Sequence, residues 1–469
     1  MRKLHVSFFI AIFAAVLIGG CSGSSMTPAP PGPQAAVVSV SMTDAPPAGV
    51  TVLSFEVSLT GASLNPGNVD LLGGKGPIRI EVKKLETEAA FLSTNSVTAG
   101  NYTSLNLTFS NPELTFLNNT GATLAGCASG AVCEIKPTGT LTSTVNGTFN
   151  VATGSQSGIL VDVNLSMLLS STLGVDFSAS GAVSASQQTK KAAGEIEDLD
   201  DVNGIVKTPA NNQFTLQTTD LGNLTVSVDN NTQFEDFGTC TPANSSCLKD
   251  GQSVETDLLL MAGGGFLAKK IELHDDVAEA ADDELDGVVF KVDSATQFEI
   301  VITDELRDVT NVTVGDPVTV VLSSSGASFQ IDSNGLTVPS SLQQAFEGAT
   351  DTSQLMPGQT VQIRKVSLTG GPAPAPITIT TDRVRLRMTR FTAAVSGAPS
   401  GSNFNVGSLP GIFFSNGVSL IQVQTSSQTN FENVGGVSDL ADANTVSLRG
   451  LLFKSTPTPV LLADKVRKR

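Results

Sequence analysis

The chain has 469 residues, of which 40% are hydrophobic, 15% charged and 5% aromatic, with 44 Gly, 22 Pro, 2 His, 1 Tyr and no Trp. At about 100–200 residues per domain, this length predicts roughly three or four domains with apolar cores of their own, which excludes a disordered chain. A formal net charge of −17 argues against nucleic acid as a partner, and the scarcity of His, Tyr and Trp argues against a polyhistidine metal centre and an aromatic sugar-stacking platform.

At the N-terminus, Arg2 and Lys3 precede an apolar run over residues 6–18. That run is short for a spanning helix and suits the hydrophobic region of a secretory signal. It ends in Leu17-Ile18-Gly19-Gly20-Cys21, which resembles the lipobox of bacterial lipoproteins, with Ile18 standing where Leu is commonest. The resemblance implies that residues 1–20 are removed as a signal peptide and that Cys21 is lipidated. The membrane is then a partner through the acyl chains, each buried methylene contributing about 0.8 kcal/mol. Ser22 after the cysteine, rather than an Asp, implies sorting to the outer membrane, on its periplasmic or surface face. Residues 21–35, with Pro28, Pro30, Pro31 and Pro33, are expected to form a semi-extended tether.

From 36 to about 190 the chain alternates apolar and polar residues with period two. Val38, Val40 and Met42 form one stripe, and Leu53, Phe55, Val57 and Leu59 a second. Ile78, Ile80 and Val82 follow, then Leu105, Leu107 and Phe109, then Ile159, Val161, Val163 and Leu165. Half-buried strands of this kind predict a β-sandwich, with one helix-like interruption over 85–92. Ser41-Met42-Thr43-Asp44-Ala45-Pro46, Ala99-Gly100-Asn101-Tyr102-Thr103 and Leu160-Val161-Asp162-Val163-Asn164-Leu165 resemble the bacterial lipoprotein family catalogued as domain of unknown function 4382. That resemblance implies a sandwich-like fold and an envelope location and adds no chemistry, since the family has no established activity.

Residues 191–201 are acidic and polar, and a linker is expected there. Beyond them an approximate repeat begins with Gly204-Ile205-Val206 and closes with Leu267-Ala268-Lys269-Lys270-Ile271. Parts return as Gly287-Val288-Val289 and Asp382-Arg383-Val384, and again as Thr429-Asn430-Phe431 and Leu462-Ala463-Asp464-Lys465-Val466. The economical reading is three β modules, at 202–275, 284–387 and 388–469, each entered through a glycine turn and sealed by its last strand. The set is similar to the family catalogued as domain of unknown function 5666, which implies small OB-like barrels. The fold class expected overall is all-β, a sandwich followed by about three such barrels.

Past Cys21, the cysteines stand as two close pairs, Cys127 with Cys133 and Cys240 with Cys247. Each pair is expected to clamp its own loop as a disulfide in an oxidising compartment. Zinc is the alternative, but the spacing is wrong for a zinc knuckle and no histidine stands near either pair.

Few residues offer chemistry. A Ser-His-Asp arrangement could draw its base only from His274, which sits beside Asp275 and Asp276 and reads as a solvated linker histidine. Paired carboxylates for glycoside hydrolysis stand among no rings that would hold a sugar. Gly73-Gly74-Lys75-Gly76 and Gly263-Gly264-Gly265 lack the Lys-Ser/Thr ending of a phosphate loop. In Asp198-Leu199-Asp200-Asp201-Val202-Asn203-Gly204 the glycine falls one place late for a calcium loop, so no cofactor is expected, with calcium as the alternative. Arg383, Arg385 and Arg387 alternate with apolar residues and so share one face of a strand, a candidate anion-binding stripe extended by Arg390; the other reading pairs them with acids next door. Residues 465–469 read as a frayed basic end. The function expected is that of a non-enzymatic, lipid-anchored envelope protein, binding or structural, with a glycan-binding accessory lipoprotein as the alternative.

Overall fold

The computed structural model describes residues 34–43 and 49–469, apart from 75, 88–89, 153–156, 189–194, 211, 219–221, 236, 239, 262–264, 276–282, 306–308 and 373–374. The signal peptide, Cys21 and the Pro-rich tether lie outside the described residues. Pro33–Arg469 forms one unit, and it is all-β.

The N-terminal part is a sandwich. Its strands are β1 (Gln34–Thr43), β2 (Val50–Asn65), β3 (Val69–Asp70), β4 (Ile78–Glu81), β5 (Ala90–Val97) and β6 (Gly100–Asn118). β7 (Val132–Ile135), β8 (Gly139–Thr140), β9 (Thr142–Val151), β10 (Ser157–Asn164), β11 (Val175–Asp176) and β12 (Val183–Gln188) follow. One sheet runs β12-β10-β1-β5, with β1 and β10 parallel; the other is built on the long β2–β6 pair, with β3, β4, β7 and β9 at its flanks. The alternation read from the sequence is the inner face of these sheets: Phe55, Val57 and Leu59 of β2, Leu105 and Leu107 of β6, and Ile159, Val161 and Val163 of β10 are buried in one core. Phe109 stacks on Phe177 there, ring centres 4.0 Å apart. The expected helical interruption is a 3-10 turn over Val82–Glu86, and the chain is extended again from Ala90.

Three barrels follow, all with one connectivity. The first uses β13 (Glu195–Ala210), β14 (Gln213–Gln217), β15 (Asn223–Ser227), β17 (Ser253–Met261) and β18 (Phe266–Asp275), with the short β16 (Gln233–Glu235) outside it. β13 pairs with β14, β14 with β15, β15 in parallel with β18, β18 with β17, and β17 with β13, which closes the barrel. The second repeats this with β19 (Glu284–Ser294), β20 (Gln297–Glu305), β21 (Pro317–Leu322), β23 (Thr360–Gly370) and β24 (Ile377–Ser400), while β22 (Ser328–Ile331) pairs with β24 from outside. The third uses the far half of β24, then β25 (Asn403–Gly407), β26 (Ile421–Gln424), β28 (Thr445–Phe453) and β29 (Val460–Lys468), with β27 (Asn430–Glu432) outside. Five strands closed by a parallel pairing of third and fifth are OB-like, as the repeat implied.

One boundary differs from the sequence reading. The acidic stretch around 195–201 is not a linker but the start of β13, paired with β17 from Glu195 onward and anchored by buried Leu199. Charge-rich composition does not prevent extended pairing when one inward apolar residue holds the strand. The handover between the second and third modules falls where the sequence reading put it, at 387/388, but within one strand: β24 runs through that point, pairing with the second barrel up to Arg387 and with the third from Met388.

The glycines that open the repeats have a role other than the expected turn. A Cβ at Gly204 would lie 2.7 Å from the Gln217 carbonyl oxygen, and one at Gly287 would lie 2.8 Å from that of Val301. They permit close approach of two strands where each barrel bends.

Candidate functional site at the seam between the first two barrels

The modules are packed, not strung out. The outer face of β17 and β18 in the first barrel meets β24 and the segment after β22 in the second, and charged side chains meet in that seam. Glu255 on β17, Asp332 beyond β22 and Arg387 on β24 are all buried, and the His274 side chain on β18 is only 2% exposed. The Arg387 guanidinium forks across two barrels: Nη2 donates to Glu255 and Nη1 pairs with Asp332, while Nε lies 3.4 Å from Asp286 on β19. His274 Nε2 is 3.3 Å from Arg387 Nη1, 3.5 Å from Asp332 and 3.9 Å from Glu255.

Electrostatics follow from this enclosure. Burial pushes the Glu255 carboxyl up, but Arg387 and Lys270 outweigh burial and hold it below the ordinary carboxylate range. For Asp286 burial wins over Arg387, and its carboxyl sits above that range. A small polar cavity of about 30 Å³ opens beside the cluster, bordered also by Asn203, Lys84 and Asp304. Lys84, from the sandwich, pairs with Asp304 of β20, so a third domain reaches the same place.

Glu255, His274 and Asp332 present ligand atoms within 4.8 Å of one another, the donor set of a divalent-metal site. Arg387 bears on both carboxylates, so a guanidinium already bridges the two that a metal would need. The cluster as it stands binds one domain to another.

The structure also places the other residues singled out from the sequence. Arg383, Arg385 and Arg387 do lie on one face of β24, but that face is covered, and the expected anion stripe is corrected. Arg383 is paired with buried Glu284, Arg385 is held by Gln362 at 2.9 Å and Gln330 at 3.4 Å, and Arg387 by the cluster above. His274, expected to be a solvated linker residue, is an interior one. Nothing in the sequence pointed to Glu255, Asp286 or Asp332, whose nearest sequence neighbours in the cluster lie far away along the chain. The two local disulfides are present, Cys127–Cys133 and Cys240–Cys247, each with Cα atoms 5.9 Å apart.

The terminal basic residues are not frayed. On β29, Lys465 Nζ donates to the Thr87 carbonyl at 3.1 Å and Arg467 to the same oxygen at 3.4 Å, while Arg469 donates to the Glu86 carbonyl. The sandwich thus docks its 3-10 turn on the last strand of the third barrel. His274, Arg387 and Arg469 occupy the same place at the end of the closing strand in the three barrels, and each reaches into a neighbouring domain.

Residues 35–191 match the family described as Domain of unknown function (DUF4382), and residues 194–272 match Domain of unknown function (DUF5666). The chain carries a DUF4382 domain followed by a DUF5666 domain. The DUF5666 match covers the first barrel, and the second and third repeat its strand connectivity. No curated protein matches the chain. A solved structure described as drosophila Unr CSD456 is similar over 57% of this chain and 97% of its own, at 10% identity and a TM-score of 0.14, a likeness that carries no argument.

Proposed function

We propose that this DUF4382–DUF5666 chain is a non-enzymatic, lipid-anchored protein of the cell envelope that serves as a binding or structural module. The observation that carries the envelope reading is the pair of disulfides, which persist in oxidising compartments, standing behind the Arg2-Lys3, apolar-run and Cys21 order of a lipoprotein signal. Among the described residues no helix is long and apolar enough to cross a membrane, and the acyl chains on Cys21 are the proposed anchor. Sorting to the outer membrane rests on Ser22. The binding reading draws on the architecture: among the described residues the Arg387 cluster is internal, bridged by its own arginine, and joins domains.

Growth with an alkyne-bearing palmitate analogue tests the anchor. The wild-type protein is expected to take up label and sediment with membranes, and Cys21→Ser to do neither; an unlabelled wild-type protein overturns the lipoprotein reading. Crosslinking in the native cells followed by mass spectrometry tests the role, with a stoichiometric envelope protein expected. The second reading, a glycan-binding accessory lipoprotein, is favoured by an open groove of about 750 Å³, lined by both polar and apolar groups, that touches all three barrels.

A further inference from the structure

We propose that this groove, on the outer face of β17 and β18, is a binding site for a neutral oligosaccharide; the proposal rests on the glycan-binding reading just given. The volume, about 750 Å³, lies within the roughly 300–1,000 Å³ of small-ligand sites. On the outer face of the ribbon Leu259 stands opposite Leu267, both partly exposed, and Asp257 opposite Lys270. The leucine pair offers a flat apolar strip to the C–H face of a sugar ring, Gln233 offers an amide that both donates to and accepts from hydroxyls, and Asn231, whose Nδ2 donates to Asp229 at 3.4 Å, offers its amide oxygen as an acceptor.

Charge selects among the ligand classes. Glu235, Asp257 and Asp464 already interact with neighbouring protein groups, Asp464 with Arg449 at 2.7 Å. Asp229 accepts from the Asn231 and Thr232 backbone N–H groups at 2.8 and 3.2 Å. The carboxylates of the groove are thus committed to the protein, which disfavours a cationic ligand, and the overall charge of −17 repels polyanions. An uncharged, hydroxyl-rich chain meets neither obstacle. The far wall is also fixed in advance: Gln428 of the third barrel accepts from the Thr337 N–H at 2.9 Å and donates to the Gly335 carbonyl of the second. A wall ordered before binding spares the ligand that entropic cost. The site lies on the fourth and fifth strands of the first barrel, away from the strand 2–3 face through which OB-folds commonly bind.

The test is calorimetric titration of the full-length protein in detergent micelles with cellohexaose, maltohexaose and chitohexaose. Binding to at least one is expected, weakened by about tenfold or more in Gln233→Ala and in Leu259→Asp. Gln233 is exposed, so its truncation is expected to leave the fold intact, and that variant decides even if Leu259→Asp unfolds. Binding that Gln233→Ala leaves undiminished overturns the groove while the glycan reading stands. No heat with any of the three overturns both.

Discussion

Arg387 is the residue on which the inter-barrel seam depends. Its guanidinium bridges Glu255 and Asp332, and both carboxylates are buried. Removing one partner of such a cluster leaves buried charge uncompensated, so Arg387→Met is expected to cost about 3–5 kcal/mol in urea unfolding. Acid acts on the same bond. The Glu255 carboxyl is held below its ordinary value of 4.5 in the folded chain, so its contribution is complete above that value and disappears as pH falls through the depressed one. The denaturation midpoint of the wild type is expected to drop through that range, and the drop is expected to be smaller in Arg387→Met. Arg387→Ala makes a different point, since it leaves His274 and two carboxylates with ligand atoms within 4.8 Å and no guanidinium. Zinc is expected to raise the melting temperature of that variant and not of the wild type. The sequence made the shared face of Arg383, Arg385 and Arg387 legible through simple alternation. It did not disclose the cover on that face, because a period-two pattern says which residues point together and nothing about what they meet.

Strands and turns carry the docking of whole domains, and here the sequence misled where it was most literal. A basic terminus looks like a frayed end until β29 is seen to place Lys465, Arg467 and Arg469 against the carbonyls of Glu86 and Thr87. A double substitution, Lys465→Ala with Arg469→Ala, is expected to speed hydrogen exchange in the Val82–Glu86 turn while the core of the third barrel stays protected. The inner-face stripes of β2, β6 and β10 were readable in advance because burial imposes alternation. The acidic start of β13 was not, since its pairing with β17 leaves no mark in composition. A second seam is tuned the other way: Glu134 on β7 and Asp316 before β21 share a hydrogen bond, and burial followed by their mutual repulsion raises the Glu134 carboxyl above its ordinary value. Burial raises Asp316 as well. A raised acid destabilises the fold above its folded value, and the penalty fades as pH falls toward the ordinary one. Glu134→Gln keeps a donor and removes a charge, so it is expected to raise the melting temperature at pH 7, with the gain shrinking toward pH 4.5.

At the scale of the molecule, repetition is the organising fact. Three barrels share one connectivity, yet the second and third are not separate beads, because β24 belongs to both. Thr389 sits at the handover, buried, its hydroxyl accepting from the Thr360 N–H at 2.8 Å while its backbone pairs opposite Gly450. Proline there removes a ladder donor from a strand interior. Thr389→Pro is expected to accelerate exchange in β19–β23 and in β25–β29 together, whereas loss in one set alone would show that the barrels open independently. The three-module count was legible from recurring sequence fragments, but the merger was not, since a repeat announces similarity and not whether copies share backbone. The shared strand also bears on how such a gene can be rearranged. A crossover at the 387/388 boundary would leave each barrel its own half of β24, up to Arg387 for the second and from Met388 for the third, and would break only the backbone that joins them. What a rearrangement at that point has to replace is thus the covalent continuity of one strand and not a missing strand of either barrel.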